Sequence, residues 1–328
     1  MSGPTVVFAG HEFPAAPAML ASAFEGATIA VVDRDVPAMH SEVLVPLMAR
    51  IDGAVMDRVA GLRLIQQWGA GLEGVDISAA TDRCIAVGNV ASTESGNAEA
   101  VAEWCVMAAL ALGRKLGEIH DSIREGRSWG SPIGQSLAGS TAGIVGLGGI
   151  GTALARRLGP FGVDVIGVTA RPDPSRAAEL GLSWLKGPGH LGELLARADY
   201  LFLCLPLRPG THQLLDASAI ETMRPGSFVI NPGRGGLIDE PALTAALASG
   251  RLAGAALDVF ATEPLDPRSP LLTLPSVLAT PHIAGVTNRS YEGNATRFVG
   301  ALYALSSSQP LVHCLNWPLV ADSFYANA

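Results

Sequence analysis

The stretch Thr141-Ala-Gly-Ile-Val-Gly-Leu-Gly-Gly-Ile-Gly-Thr-Ala-Leu-Ala-Arg-Arg-Leu158 reads as a short buried strand, a glycine turn and an apolar-periodic helix. Its glycines fit G-x-G-x-x-G: Gly146 permits the sharp turn, Gly148 lets backbone amides approach a pyrophosphate, and Gly151 lets the helix pack on the strand. Three spaced glycines are a weak signal in a chain with 38 of them, but the flanking strand and helix favour dinucleotide binding over an ordinary turn. The predicted phosphate contacts are Gly146, Gly148, Gly149, Ile150 and Gly151.

Size and composition predict a globular protein of two domains. The chain has 328 residues, of which 48% are hydrophobic and 16% charged, so it can bury two cores and is not a disordered chain. Its net charge of −8 argues against nucleic acid or an anionic membrane as the main partner.

Cysteine spacing and the N-terminus predict a cytoplasmic protein. The four cysteines are scattered, with no C-x-x-C pair or histidine cluster, so we expect reduced thiols and no metal site. Residues 1–20 lack a basic segment followed by an apolar core, so no signal peptide is expected. The longest apolar run, around residues 100–113, is interrupted by Glu103 and is too short to span a bilayer.

The first hundred residues alternate short apolar strands with helical or turn segments. This rhythm favours a parallel sheet that is covered on both faces. The predicted strands are Thr5–Ala9, Ile29–Val32, Gly53–Val55, Leu64–Gln66 and Ile85–Val87.

The second half repeats this rhythm after a long apolar-rich helix, Ala98–Arg114. Six strands with a glycine turn after the first indicate a doubly wound dinucleotide-binding sheet. A helix near Arg289–Leu305 would return the chain to the first domain, and the aromatic tail from Trp317, with Phe324 and Tyr325, is expected to dock. After the strand at 141–145, the predicted strands are Val163–Val168, Tyr200–Leu203, Ser227–Asn231, Gly254–Leu257 and Val277–Ala279.

The end of the second strand of this sheet bears on the choice of cofactor. In this fold a carboxylate there usually binds the ribose of NAD, whereas here the strand ends in Thr169-Ala-Arg171. A hydroxyl followed by Arg171, with Arg176 as a possible second cation, suits the 2′-phosphate of NADP. The alternative is a solvated Arg171 with Asp173 reaching the ribose of NAD.

Three polar residues stand where later strands give way to loops: Arg234, Glu263 and His282. Because carboxyl ends of parallel strands converge on the ligand crevice, these residues are expected to meet beside a nicotinamide. Taken singly, each could be an ordinary turn or strand-end residue. The glycine-rich stretch Gln66–Asp76 could hold a small anion with its backbone amides, or could be a surface turn.

These segments resemble the D-isomer-specific 2-hydroxyacid dehydrogenase family, which includes glyoxylate/hydroxypyruvate reductases. The resemblance covers nearly the whole chain and is closest from Gln135 to Gly285. It rests on several motifs in the same order: Leu137–Gly151, Leu205-Pro206-Leu207 with Thr211, Asn231–Gly235, Leu257–Phe260 with Glu263-Pro264, and Thr280–Gly285.

The resemblance implies an α/β fold of two doubly wound parallel-sheet domains. A Rossmann cofactor domain, residues 103–286, would be inserted into a flavodoxin-like substrate domain made of residues 1–102 and 287–328. The family usually forms homodimers, so a homodimer is expected.

The resemblance also implies roles at the site. Arg234 would bind the substrate carboxylate and carbonyl, His282 would be the acid/base, and Glu263 would be its partner that favours the charged imidazolium. The amides of Ala70 and Gly71 would receive the substrate carboxylate. The further implied cofactor contacts are Thr169, Arg171, Leu205, Pro206, Thr211 and Asp258, the last holding the nicotinamide carboxamide.

The expected activity is NADPH-dependent reduction of a small 2-keto acid, such as glyoxylate or hydroxypyruvate, to the D-2-hydroxy acid. Bulkier 2-keto acids stay open, because Trp68 and Leu72 beside the loop would tolerate an apolar side chain. Phosphoglycerate is disfavoured, because no regulatory domain follows residue 328. An alternative of another class is a non-enzymatic NAD(P)-sensing protein, which would not need Arg234, Glu263 and His282.

Overall fold

The computed structural model describes residues 4–126, 129–307, 309–311 and 313–324. The chain forms two compact units, one made of residues 1–97 and 287–328 and the other of residues 98–286. The first crossing between units thus falls five residues before the predicted one. In the part of the chain that the structure describes, no helix is both long enough and apolar enough to cross a membrane.

Both units alternate strands with helices. The strands, in chain order, are β1 (Thr5–Ala9), β2 (Thr28–Val32), β3 (Met39–His40), β4 (Val43–Val45), β5 (Val59–Ala60), β6 (Leu64–Gln66), β7 (Ala86–Gly88), β8 (Thr141–Val145), β9 (Asp164–Val168), β10 (Trp184–Lys186), β11 (Tyr200–Leu203), β12 (Phe228–Asn231), β13 (Gly254–Leu257) and β14 (Val277–Ala279). The helices are α1 (Ala15–Ala23), α2 (Gly53–Arg58), α3 (Ile77–Asp82), α4 (Asn97–Gly113), α5 (Leu116–Arg124), α6 (Gly149–Leu158), α7 (Pro174–Glu179), α8 (Leu191–Arg197), α9 (Ala217–Thr222), α10 (Glu240–Ala248), α11 (Asn288–Ser306) and α12 (Trp317–Phe324).

The strand orders confirm the predicted pair of doubly wound parallel sheets. The first unit has the order β2-β1-β4-β6-β7, which is the flavodoxin-like 2-1-3-4-5 pattern. The second has the order β10-β9-β8-β11-β12-β13-β14, with the reversal beside β8 that marks the dinucleotide-binding fold. All the pairings within these sheets are parallel.

Each sheet is buried on both faces, as continuous apolar strands require. In β1, Val6 and Phe8 pack into one core cluster and Val7 and Ala9 into another. The strand β11 alternates in the same way between two clusters of the second unit. Successive side chains of a strand point to opposite faces, so the four clusters are two layers on each sheet.

One predicted strand was wrong, and strands were missed in both sheets. Residues 53–55 begin helix α2 because the side chain of Asp52 accepts the N–H of Val55 at 3.0 Å and caps the helix. The strand actually placed between β1 and β6 is the buried β4, which was missed. The second sheet has a further strand, β10, whose three half-buried residues give little apolar signal.

The C-terminal helix α12 docks into the core of the first unit. Trp317 and Phe324 are buried, with ring centroids 5.2 Å apart in an edge-to-face arrangement. Tyr325, the third aromatic residue of the predicted tail, lies outside the described residues.

Candidate active site

The turn between β8 and α6, residues 146–151, has the backbone that a phosphate-binding turn needs. Gly146 has φ +96°, and a Cβ there would lie 2.5 Å from the carbonyl oxygen of Cys204. A Cβ on Gly151 would strike the carbonyl of Gly146. A Cβ on Gly148, in contrast, would meet nothing within 4 Å. The outer glycines are therefore required by packing, and the open space at the middle one, before the N–H groups of α6, fits the phosphates of a dinucleotide.

The residues proposed to select the cofactor, which follow β9, differ in whether the protein already binds their side chains. The carboxylate of Asp173 accepts hydrogen bonds from the hydroxyl of Ser175 at 2.7 Å and its N–H at 2.9 Å, and these contacts lower the pKa of Asp173. Asp173 thus caps α7. Arg176 donates to the hydroxyl of Thr152 on α6 at 2.5 Å, and Arg171 is exposed.

The loop after β11 lies against the 146–151 turn. The N–H of Cys204 donates to the carbonyl of Val145 at 2.8 Å, which ties the start of this loop to the end of β8. The hydroxyl of Thr211 donates to the carbonyl of Pro206 at 3.0 Å and accepts the N–H of Arg208 at 2.8 Å. Leu205, Pro206 and Thr211 therefore belong to a loop that is held by its own hydrogen bonds and is tied at its start to the 146–151 turn.

Arg234 follows β12 in a loop organised by a buried amide. Asn231 donates through Nδ2 to the carbonyl of Arg234 at 2.9 Å and accepts the N–H of Gly233 at 3.0 Å. These two hydrogen bonds fold the backbone back at the end of the strand. Asn231 belongs to a motif recognised in the sequence, but its role in fixing Arg234 was not foreseen.

Glu263 and His282 form a hydrogen-bonded pair. Oε2 of Glu263 lies 2.8 Å from Nδ1 of His282, and Oε1 accepts the N–H of Phe260 at 2.9 Å. The carboxylate is therefore fixed at both oxygens. Because Nδ1 faces Glu263, Nε2 is the ring nitrogen on the side away from that carboxylate.

Electrostatics link Arg234 to this pair. Partial burial by itself would raise the pKa of Glu263, but the hydrogen bond and charge of His282, the N–H of Phe260 and the charge of Arg234 outweigh it and lower that pKa. The structure thus brings together the three residues that the sequence placed at strand ends.

The turn of residues 280–284, here called the histidine turn, is held by a carboxylate. Asp258 accepts the hydroxyl of Thr280 at 2.6 Å and the N–H groups of Ile283 and Ala284, each at 2.8 Å. His282 has φ 55°, a left-handed conformation that costs a non-glycine residue roughly 1–2 kcal/mol. Burial raises the pKa of Asp258 against these hydrogen bonds. The carboxylate assigned by resemblance to the nicotinamide carboxamide therefore also shapes the backbone around His282.

In the first unit, the loop of residues 67–71 after β6 has the opposite arrangement. Its carbonyl groups accept hydrogen bonds: Gly71 from Nε2 of Gln67 at 3.0 Å, Ala70 from Nδ2 of Asn89 at 2.6 Å, and Gly69 from the N–H of Val90 at 3.0 Å. Among the described residues, the N–H groups of Ala70 and Gly71 have no acceptor. This leaves two neighbouring N–H groups for an anion.

The side chain of Trp68 is not exposed beside this loop, contrary to the expectation from the sequence. It is buried in the core of the first unit, with its ring centroid 5.7 Å from that of Tyr291 and 6.2 Å from that of Phe8. Leu72, which is half-buried, remains the large apolar side chain next to the loop.

Comparison with known proteins identifies the family. Residues 106–284 match the family model of the D-isomer-specific 2-hydroxyacid dehydrogenase NAD-binding domain. The chain is 36% identical over 303 residues to D-3-phosphoglycerate dehydrogenase of Mycobacterium tuberculosis, covering 90% of this chain and 56% of that one. It is 33% identical to glyoxylate/hydroxypyruvate reductase B of Yersinia enterocolitica, covering 84% of each.

A solved structure agrees with these relatives. The TT0316 protein of Thermus thermophilus superposes with a TM-score of 0.82 at 32% identity, covering 95% of this chain and 99% of that one. The chain belongs to the D-isomer-specific 2-hydroxyacid dehydrogenase family, as its motifs suggested, and carries the family's nicotinamide-dinucleotide-binding domain. It spans little more than half the length of the phosphoglycerate dehydrogenases that it matches.

Proposed function

We propose that the protein is a reductase that uses NADPH to convert a small 2-keto acid of the glyoxylate or hydroxypyruvate type into the D-2-hydroxy acid. The observation that carries this proposal is the 2.8 Å contact between Glu263 and His282, with Arg234 electrostatically coupled to Glu263. A protein that only senses the nucleotide has no need of such an oriented proton donor.

His282 supplies the proton in this reaction. As negative charge grows on the substrate's carbonyl oxygen, Nε2 donates a proton to it. Before this transfer, Glu263 stabilises the imidazolium through its contact with Nδ1. Arg234 offers a planar fork of donors to the carboxylate and to the developing oxyanion. The nicotinamide cofactor that the second unit would hold would supply the hydride for this reduction.

The residues that would hold the cofactor lie at the carboxyl edge of the second sheet. The turn of residues 146–151 would take the pyrophosphate, and the loop with Leu205, Pro206 and Thr211 would line the nicotinamide side. Asp258 would reach the carboxamide.

The preference for NADPH follows from charge. Thr169 and Arg171 would bind the 2′-phosphate, and the alternative ribose ligand, Asp173, is occupied as the cap of α7. We expect Arg171→Met to weaken NADPH binding by roughly tenfold or more and to leave NADH unaffected, because a charged hydrogen bond is worth about 1.5–3 kcal/mol. Fluorescence titration with both nucleotides tests this, with the exposed Arg156→Met as control. Equal losses for both nucleotides would contradict the assignment.

The substrate class follows from the 67–71 loop. The N–H groups of Ala70 and Gly71, which have no acceptor among the described residues, would bind a carboxylate. No Lys or Arg occurs from residue 64 to residue 82, and Glu73 adds negative charge, so a phosphorylated substrate is disfavoured at this loop.

Oxidation of phosphoglycerate is the second candidate, favoured by the 36% identity to the mycobacterial enzyme. One experiment distinguishes the candidates: steady-state reduction of glyoxylate, hydroxypyruvate, pyruvate, phenylpyruvate and phosphohydroxypyruvate, each with NADPH and NADH, followed at 340 nm. The highest kcat/KM for glyoxylate or hydroxypyruvate with NADPH supports the proposal. The highest value for phosphohydroxypyruvate supports the second candidate, and a flat trace despite tight nucleotide binding indicates a sensor.

We also propose that the protein forms a homodimer and is cytoplasmic. Five large apolar side chains are exposed among the described residues of 107–126 and 129–133, and Trp129 is 94% exposed. Such a surface fits a second copy of the chain. Light scattering after gel filtration should give twice the 33.8 kDa chain mass, and Trp129→Asp together with Ile123→Asp should give the single chain mass. The exposed side chains are Met107, Leu116, Ile123, Trp129 and Ile133.

A further inference from the structure

A cavity of about 300 Å³ lies in the first unit, away from the 67–71 loop. Residues 62–63 and 84–85, which immediately precede β6 and β7, form part of its wall, so it is at the amino edge of the sheet. The loop follows the carboxyl end of β6, about 10 Å further along a three-residue strand. The lining residues are Met56, Asp57, Val59, Gly61, Leu62, Arg63, Arg83, Cys84, Ile85 and Phe324.

One of the two arginines in this wall has no anionic partner among the residues that the structure describes. Arg83 forms a two-pronged ion pair with Asp57, with N–O distances of 2.7 and 2.8 Å. Arg63 forms no ion pair with any described residue, and its Nε and Nη2 atoms are buried without a hydrogen-bond acceptor. Its guanidinium lies 4.9 Å from the ring centroid of Phe324, which attracts the charge but accepts no conventional hydrogen bond. Arg63 is half-buried, but two buried donor atoms of a cation that lack an acceptor are costly, so this pattern indicates an anionic partner.

The geometry of the unsatisfied atoms defines that partner. Nε and Nη2 form one edge of the guanidinium, the edge that binds both oxygens of a carboxylate side by side. Both atoms are enclosed by protein, so binding requires a rotation of the guanidinium towards the cavity, and this rotation breaks no hydrogen bond of these two atoms. Val59, Leu62 and Ile85 form an apolar part of the remaining wall, and the ion pair of Asp57 and Arg83 forms a polar part.

We propose that the cavity between Arg63 and the apolar wall of Val59, Leu62 and Ile85 binds a small monocarboxylate with an apolar body. The single unpaired cation balances one negative charge. A phosphate dianion would bring a second charge close to the carboxylate of Asp57, so a carboxylate is the better match. This site is separate from the proposed substrate site and does not depend on the proposed activity.

Amide NMR on the full chain tests the proposal with benzoate as the probe. Benzoate should shift the amide signals of residues 56–63 and 83–85 and the side-chain Nε–H of Arg63. Benzamide, which has the same ring without the charge, and inorganic phosphate should bind at least tenfold more weakly. Arg63→Met should abolish these shifts, whereas Arg58→Met, which removes an exposed arginine that pairs with Asp35 outside the cavity, should leave them unchanged.

Leu62→Trp provides a second variant that keeps Arg63 and fills the cavity. It should also abolish the benzoate shifts, which preserves the test if Arg63→Met does not fold. Shifts confined to residues around Arg234 and His282, or equal binding of phosphate and benzoate, would overturn the proposal. So would the absence of any shift in the cavity of the unaltered chain, because Arg63 would then serve only to hold α12 through Phe324.

Discussion

The histidine turn of the second unit and the 67–71 loop of the first unit are held by opposite kinds of hydrogen bond. In the histidine turn, Asp258 accepts backbone N–H groups, so the turn is fixed through its donors and presents the side chain of His282. In the 67–71 loop, Gln67 and Asn89 donate to the carbonyls of Gly71 and Ala70, so this end of the loop is fixed through its acceptors and leaves the N–H groups of these two residues without an acceptor among the described residues.

Under the proposed function, the two segments would act on the substrate in different ways. The histidine turn delivers a titratable side chain, which can move a proton. The 67–71 loop delivers fixed backbone dipoles, which can hold a carboxylate but cannot change charge. Substitutions in the second unit should therefore reduce kcat strongly, and those in the loop should act mainly on KM.

Replacing the proton donor should have the largest effect. His282→Gln should lower kcat/KM for the preferred 2-keto acid by roughly 10²–10⁴-fold, because general acid catalysis is lost while the side chain can still hydrogen-bond. Initial rates at 340 nm measure this, with the exposed His190→Gln as a control that should keep full activity. Retention of more than a tenth of the activity in His282→Gln would contradict the assigned role.

Arg234→Lys should be nearly as damaging as Arg234→Ala. Each should lose about 3 kcal/mol of transition-state stabilisation, or roughly 100-fold in kcat/KM, because a point charge cannot reproduce the planar fork. The exposed Arg268→Lys serves as the matched control. If the Lys variant at 234 keeps most of its activity, Arg234 acts only as a charge.

Glu263→Gln should lower kcat/KM by roughly 10- to 100-fold, since the imidazole remains but loses its charged partner. The variant also has a pH signature. Because the folded-state pKa of Glu263 lies below its usual value of 4.5, its carboxylate stabilises the folded protein above about pH 4.5, and this contribution disappears as the pH falls through the folded pKa.

Urea unfolding of both proteins from pH 7 to pH 3.5 measures this signature. The stability difference between the unaltered protein and Glu263→Gln should be largest near neutral pH and should shrink below pH 4.5. A difference that is constant with pH would mean that ionisation of Glu263 does not stabilise the fold.

Gln67→Met should have the smallest effect and a different kinetic form. Loss of the hydrogen bonds to the carbonyls of Leu47 and Gly71 should loosen the loop, raise KM about fivefold and leave kcat nearly unchanged. The exposed Gln135→Met is the control. A fall in kcat at unchanged KM would show that the loop does more than hold the substrate.

The sequence was most informative where function depends on side-chain type. Arg234, Glu263 and His282 could be grouped because a parallel sheet brings the carboxyl ends of its strands to one edge. Asp258 was assigned to the cofactor by resemblance alone, and its hold on the histidine turn depends on contacts with residues 22 to 26 positions away. Gln67 and Asn231 left a weaker signal, an amide side chain at the end of a buried strand.

The incorrect strand at 53–55 has a related cause. Gly-Ala-Val is compatible with a buried strand or with the first turn of a helix, and the cap from Asp52 decides between them locally. The neighbouring β4 was missed because three buried residues carry no period that separates a strand from a helix.

The sequence by itself determined the two parallel sheets, the glycine turn of residues 146–151 and the candidate set of Arg234, Glu263 and His282, because apolar periodicity, glycine spacing and residue chemistry are local properties. Only the tertiary structure decided which backbone groups are already bonded and which are left for a ligand. The carboxylate of Asp258 behind His282 is of the first kind, and the N–H groups of Ala70 and Gly71 and the Nε and Nη2 atoms of Arg63, which have no acceptor among the described residues, are of the second. The donors, acceptors and charges of one segment find their partners on distant segments, so the sequence of one segment cannot show which of its groups are already bonded.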